Sequence, residues 1–261
     1  MAESAGAVRS EVRGSVLVVT LDRPPANAID VATSQQLYAA FARLRDEANL
    51  RVGVITGTGR FFSAGWDLKA AAAGEAPDAD HGPGGFAGLT ELELDKPVIA
   101  AVNGIAVGGG FELALACDLM VVATQARLGL TEAALGLIAD SGGVIRLPRR
   151  LPYAIAMELL LTGRLIDGGE AVRWGLANAV VSQSEVLDEA LKLADRIVAM
   201  APLSVAAVKQ VLRGLHDDVT ADFTALRSGR FAAYDRLVES EDAREGSAAF
   251  AQGRPPRWLG R

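Results

Sequence analysis

Cysteine and histidine are scarce in this chain, and their scarcity excludes several kinds of chemistry. A single cysteine, Cys117, leaves no disulfide within the chain and no zinc site that needs two or more thiolates. Of the two histidines, His81 lies in a Gly/Pro/Asp loop and His216 in a polar segment, so both are expected at the solvated surface, and serine–histidine catalysis would have to use one of them. Long apolar runs are missing too: nothing approaches the roughly 20 residues of a membrane span. Residues 1–16 lack a basic stretch followed by an apolar one, so no secretory signal is expected and the default compartment is the cytoplasm. Positive charge is in deficit, 26 Lys and Arg against 32 Asp and Glu for a net charge of −6. That balance argues against nucleic acid as the main partner, while leaving room for local basic clusters around an anionic ligand.

What is present is enough for a full core: 50% of 261 residues are hydrophobic, which suits one sizeable domain or one domain with a terminal subdomain. Two strands are expected around Gly14-Ser15, and Val16–Leu21 is nearly continuous in β-branched and apolar residues, the pattern of a buried strand. Asp30 is placed to cap a helix running to about residue 48, with Leu37, Phe41 and Leu44 on one face. Short apolar strands follow at 52–56, 98–102 and 119–123. Residues 57–65 read as a loop, 66–73 as a helix and 74–85 as a long Gly/Pro/Asp-rich loop. The alternation predicts an α/β arrangement. Beyond Glu170 the pattern is mostly helical, at 184–200, 202–215 and about 221–239, so the chain divides into an α/β core over 1–200 and a helical region over 201–261.

Three places carry chemistry. Gly108-Gly109-Gly110 opens a helix, at a cost in backbone entropy that is accepted either for close approach of a ligand to N–H groups or for tight packing on the sheet. Glu112 follows within an apolar run, where a carboxylate must be paired, hydrogen-bonded or protonated; it is either an acid–base group or half of a structural ion pair. Glu132 stands among apolar and small residues at 128–136, either as a second acid–base group or as a solvated glutamate at a helix start. Finally, Ser63-Ala-Gly-Trp-Asp67 leads into the expected helix. The N–H groups of Trp66 and Gly109 either converge as an oxyanion hole or belong to ordinary helix starts.

Ser63-Ala-Gly-x-Asp67, Val102-Asn-Gly-x-Ala-x-Gly-Gly-Gly-x-Glu112-Leu-Ala-Leu, and Glu132-x-x-Leu-Gly136 followed by Gly142-Gly143 together resemble the crotonase (enoyl-CoA hydratase/isomerase) superfamily, and the likeness extends through Ser240–Phe250. The resemblance implies a spiral of ββα units with a C-terminal helical region used in trimerisation, as a homotrimer or a dimer of trimers. It implies an acyl-CoA substrate bound without nucleic acid, membrane, metal or separate cofactor, since coenzyme A is part of the substrate. The Trp66 and Gly109 N–H groups match the oxyanion hole for the thioester carbonyl, and Glu112 and Glu132 match the paired glutamates of the hydratases. Pro25, Ala26, Ala28, Ala64, Gly65, Asp67 and Leu68 match segments that contact coenzyme A; Ile105, Val107, Gly108 and Asp140 complete the substrate residues. Three positions depart from the pattern: Pro25 stands where many members carry Lys or Arg near the coenzyme A phosphates, and Thr131 and Ala139 stand where many carry Pro. The 74–91 stretch and Asp140-Ser-Gly-Gly143 narrow the likeness to members that dehydrate a 3-hydroxyacyl-CoA bearing a trimethylammonium group, which Trp66, Phe86 or Asp140 would meet.

Overall fold

The run Val16–Leu21 becomes β2, paired antiparallel with β1 (Val8–Arg13) across the Gly14-Ser15 turn. Asp30 caps α1 (Val31–Asp46) by accepting the Thr33 N–H at 2.8 Å, after the two-residue strand β3 (Ala28–Ile29); Leu37, Phe41 and Leu44 are fully buried. This computed structural model describes residues 6–72, 81–215, 228–252 and 254–261. His216, residues 74–80 of the expected 74–85 loop and residues 221–227 of the expected 221–239 helix lie outside the described residues.

The main sheet is built on β2, β4 (Val52–Gly57), β7 (Val98–Val102), β9 (Leu119–Ala123) and β11 (Ala179–Val181), all parallel, with β1 antiparallel at one edge. The central strands are covered on both faces, which is why they read as unbroken apolar runs rather than alternating ones. A smaller parallel sheet holds β5 (Phe61–Ser63), β8 (Ile105–Val107) and β10 (Arg127–Gly129), and β3 pairs with β6 (Gly65–Trp66). The strands β5, β8 and β11 have three residues each, too few to recognise by periodicity; β5 falls in a stretch expected to be loop and β11 in one expected to be mostly helical, and short parallel strands depend on partners far along the chain.

The helices are α2 (Leu68–Ala72), α3 (Gly109–Ala116), α4 (Gly143–Arg150), α5 (Tyr153–Thr162), α6 (Gly168–Arg173), α7 (Val186–Val198), α8 (Pro202–Gly214), α9 (Ala232–Glu239) and α10 (Glu241–Gln252). Among the described residues no helix is long and apolar enough to cross a membrane. The chain forms two compact units, Met1–Glu93 with Val98–Ala194, and Leu94–Pro97 with Asp195–Arg261.

The first unit contains all the sheets. In the second, the Arg213 guanidinium donates to the Leu94 carbonyl at 2.8 Å and to Asp95 at 2.6 Å, and Lys209 donates to the Lys96 carbonyl at 2.9 Å. These bonds attach the 94–97 segment to α8. Buried Asp242 accepts the N–H groups of Leu259 and Gly260 at 2.7 and 2.9 Å, folding the C-terminal tail back onto α10.

Candidate active site

The site assembles around the start of α3. Gly108, at φ +54, is its N-cap, and Gly109 its first residue, whose N–H has no acceptor within the helix. The three glycines serve close approach on several sides. A Cβ on Gly109 would stand 2.6 Å from the Phe86 ring, and one on Gly110 would stand 2.1 Å from the Ser63 carbonyl oxygen. Gly65, at φ +82, packs so tightly that its Cβ would fall 2.6 Å from the Gly109 nitrogen. The β6 strand and the α3 N-terminus therefore lie backbone against backbone, with Gly109 at the contact itself and Trp66 the residue after Gly65.

One expectation is corrected here. Trp66 was placed in a helix spanning 66–73; it is in β6, paired with Ile29, and α2 begins only at Leu68. The reason is Asp67. Its Oδ1 accepts the Lys69 N–H at 2.9 Å, so it caps α2 and holds Trp66 outside. Its Oδ2 accepts from Arg23 at 2.6 Å, and Arg23 also donates to Asp30 at 2.7 Å and to the Ala28 carbonyl at 2.9 Å. Burial raises the Asp67 pKa, but the Arg23 guanidinium and the two α2 amides outweigh it and hold the carboxyl below its ordinary value. Arg23 thus ties β3 to β6. Sequence reading missed it, and the only signal was an arginine before Pro24-Pro25 that needed a partner.

Asn27 and Ser63 complete this wall. Asn27, held at φ +50, donates to the carbonyls of Thr58 and Phe61 at 3.0 and 2.8 Å; the Ser63 hydroxyl donates to the Asn27 carbonyl at 2.7 Å and accepts the Gly65 N–H at 3.1 Å. Of the expected coenzyme A residues, Ala26 bonds through its carbonyl to the Ala64 N–H at 2.9 Å, and Ala28 pairs with Gly65. Pro25 and Leu68 are exposed at the margin. Ile105 and Val107 lie in β8, and the Val107 carbonyl oxygen is 3.0 Å from where a Gly65 Cβ would be.

Glu112 is 3% exposed, in the first turn of α3, and its Oε1 accepts the Gly143 N–H at 2.9 Å. Among the described residues it makes no ion pair, so the alternative of a structural arginine pair is not what the structure contains. Its pKa is pushed up to about 8, chiefly by burial, with the charges of Glu132 and Asp140 adding to the rise, and the Gly143 N–H and Arg146 opposing it. Glu132 opens a 3-10 helix (Glu132–Leu135) and is half-buried. Its Oε1 comes within 3.3 Å of where a Gly108 Cβ would be, and its Oε2 is buried with no hydrogen-bond partner. Its pKa is also raised, first by burial and then by Asp140. Both glutamates therefore stand at the α3 N-terminus, each against a glycine that makes room for it. Asp140 is exposed, and its charge reaches both.

Beside Glu132 is a cavity of about 420 Å³ whose lining includes Leu130, Leu137, Ile138, Tyr153 and Leu161. Phe86 lies against Gly109 rather than in that cavity, and His81 is not at the solvated surface: it is half-buried, with Nδ1 3.3 Å from the Ser34 hydroxyl and its ring edge-on to Phe86 at 5.3 Å. Two carboxyls of raised pKa at one helix N-terminus, one of them lining an apolar cavity, are suited to proton transfer next to a polarised carbonyl.

The model of the family described as "Enoyl-CoA hydratase/isomerase" matches residues 11–261. The chain belongs to that family. Within it, the chain is 57% identical over 252 residues to the carnitinyl-CoA dehydratase of Proteus mirabilis, covering 95% of this chain and 97% of that one. A crystal structure of enoyl-CoA hydratase from Mycobacterium tuberculosis superposes with a TM-score of 0.89 at 42% identity, covering 98% of this chain and 99% of the other. One of carnitinyl-CoA hydratase from Mycobacterium avium superposes with a TM-score of 0.78 at 43% identity, covering 99% and 100%. The expected crotonase-like fold is thus the fold of this enoyl-CoA hydratase/isomerase family member.

Proposed function

We propose that this protein reversibly dehydrates carnitinyl-CoA to crotonobetainyl-CoA, with Glu112 and Glu132 as its acid–base pair. The observation that carries the proposal is the convergence of two carboxyls of raised pKa on one helix N-terminus. The thioester oxygen would lie against the Trp66 and Gly109 N–H groups. Glu132, ionised, takes the proton from the carbon next to the carbonyl, and the electron pair moves onto the oxygen. As the C2=C3 double bond forms, the C3–O bond breaks, and Glu112 gives its proton to the departing hydroxyl, releasing water. A carboxyl with a pKa of about 8 is protonated at neutral pH, as that last step requires. An oxyanion donor is worth roughly 100- to 1,000-fold in rate, and each acid–base role roughly 100- to 10,000-fold.

The preference for a trimethylammonium substrate is supported by the relatives' identity, higher for the carnitinyl-CoA dehydratase than for the enoyl-CoA hydratase structure, and by Asp140 and Phe86 near the site. Coenzyme A enters as part of the substrate, along Ala26, Ala28, Ala64, Gly65 and Asp67, and no separate cofactor or metal is required by this chemistry. The C-terminal helical region is the proposed trimerisation element, in a cytoplasmic homotrimer or dimer of trimers.

A panel of acyl-CoA thioesters assayed for water addition tests the reading. The expected result is a higher kcat/KM for crotonobetainyl-CoA than for crotonyl-CoA, with Asp140→Asn narrowing that ratio. Crotonyl-CoA hydration far above that of crotonobetainyl-CoA would make it a broad enoyl-CoA hydratase, the reading favoured by the M. tuberculosis structure. No hydration at all, with salt-dependent RNA retention on a filter, would make it a non-catalytic relative.

A further inference from the structure

Arg146 has no part in the chemistry above, yet its guanidinium sits where the two walls of the site meet. Half-buried in α4, it donates through Nη1 to the Ser141 carbonyl at 3.3 Å and through Nη2 to the Thr90 carbonyl. The first contact braces the turn whose next residues are Gly142 and Gly143, and the Gly143 N–H is the donor to Glu112. Gly142, at φ +114, is what lets the guanidinium in: a Cβ there would be 1.7 Å from Nη1. The second contact holds the segment carrying Phe86, whose ring lies on Gly109. Among the described residues no carboxylate pairs with Arg146, so its charge is spent on carbonyls and on the field it exerts.

We propose that Arg146 is a positioning residue for Glu112: it fixes the Gly142-Gly143 turn that presents an N–H to the carboxylate, and it holds a positive charge toward that carboxylate. The proposal rests on the acid–base reading of Glu112. The charged groups facing Glu112 are Glu132 from the 3-10 helix, Asp140 from the following loop, and Arg146 from α4; the titratable groups facing Arg146 itself are Glu112, Glu91, the Cys117 thiol and Arg149. Two of the three charges around Glu112 are negative, so Arg146 is the one that favours its ionised form. Removing it leaves burial and two carboxylates, which raise the pKa, opposed only by the Gly143 N–H.

The test is a pH titration of glutamate δ-¹³C signals in the full-length protein, with Glu112 assigned from the Glu112→Gln spectrum. Arg146→Met should move the Glu112 midpoint upward by about one pH unit, while Arg146→Lys, which keeps the charge, should leave it near the parent. Hydration kcat on crotonobetainyl-CoA should fall about 100-fold in Arg146→Met and about tenfold in Arg146→Lys, because one ammonium cannot span two carbonyls, with KM changed by less than about threefold. An Arg146→Met protein that titrates like the parent, with only a lowered melting temperature, would overturn the proposal and leave Arg146 a structural brace. If Arg146→Met does not fold, an Arg146→Lys protein with parental kcat overturns it equally. Parental activity in Glu112→Gln would instead remove the acid–base reading itself, so the two failures are distinguishable.

Discussion

Glu112 grows out of a helix in which seven of eight residues are buried, whereas Glu132 opens a 3-10 turn in which none is. One carboxylate sits on a helix anchored by the buried Phe111, Leu113 and Leu115 and accepts the Gly143 N–H. The other is flanked by apolar side chains that face outward, with Leu135 and Ile138 exposed by 57% and 63%, and Tyr153 and Leu161, across the cavity, by 69% each. The difference divides the work of the site. The α3 side supplies a preorganised constellation, where precision is set by core packing. The Glu132 side supplies an apolar surface that is unfinished in one chain and is the kind of patch that a substrate or a second subunit covers.

The sharpest way to break this comparison is to disturb the rigid side at its tightest point. Gly65→Ala puts a methyl carbon 2.6 Å from the Gly109 nitrogen, with backbone on both sides and φ +82 to satisfy. Turnover should drop about 100-fold through misplacement of the α3 N-terminus, and stability by about 1–3 kcal/mol. Gly136→Ala, on the Glu132 side at φ +74 with open space around it, should cost only the left-handed strain of about 1 kcal/mol. Similar losses in the two variants, by chemical denaturation and steady-state kinetics, would erase the distinction.

A pair of leucine truncations extends the test to packing. Leu113→Ala, fully buried in α3, should destabilise by about 2–5 kcal/mol. Leu135→Ala, in the exposed turn, should stay within about 0.5 kcal/mol in the isolated protein. A large loss at Leu135 would show that the turn is held by contacts the single chain does not contain.

A separate effect is on the pH dependence of stability. The Glu112 pKa rises on folding from about 4.5 to about 8, so between those values the folded protein binds more protons than the unfolded one. Stability is then lost as pH climbs through that window. Thermal unfolding from pH 5 to pH 8 should show the parent losing more than Glu112→Gln. Parallel curves would mean that Glu112 titrates normally.

The same contrast governs what the sequence disclosed. Glu112 was conspicuous because it interrupts an apolar run after three glycines, and burial there follows from the pattern. The cap at Asp30, the helix face of Leu37, Phe41 and Leu44, and the strands at 16–21 and 98–102 were legible for the same reason: strong local periodicity. Trp66 was misplaced because Asp67 was read as helical rather than as the cap that excludes its neighbour. Gly143, though noticed as half of a Gly-Gly pair, had no visible role, because its contribution is a backbone N–H. Arg23 and Arg146 act on partners 44 and 56 residues away, through a carboxylate and a backbone carbonyl that no local pattern indicates.

The central claim, that two differently held carboxyls share one reaction, is tested most directly by the turnover of Glu112→Gln and Glu132→Gln on crotonobetainyl-CoA. Both proteins should remain folded and each should lose roughly 100- to 10,000-fold in kcat. Near-parental hydration by either one would contradict the account.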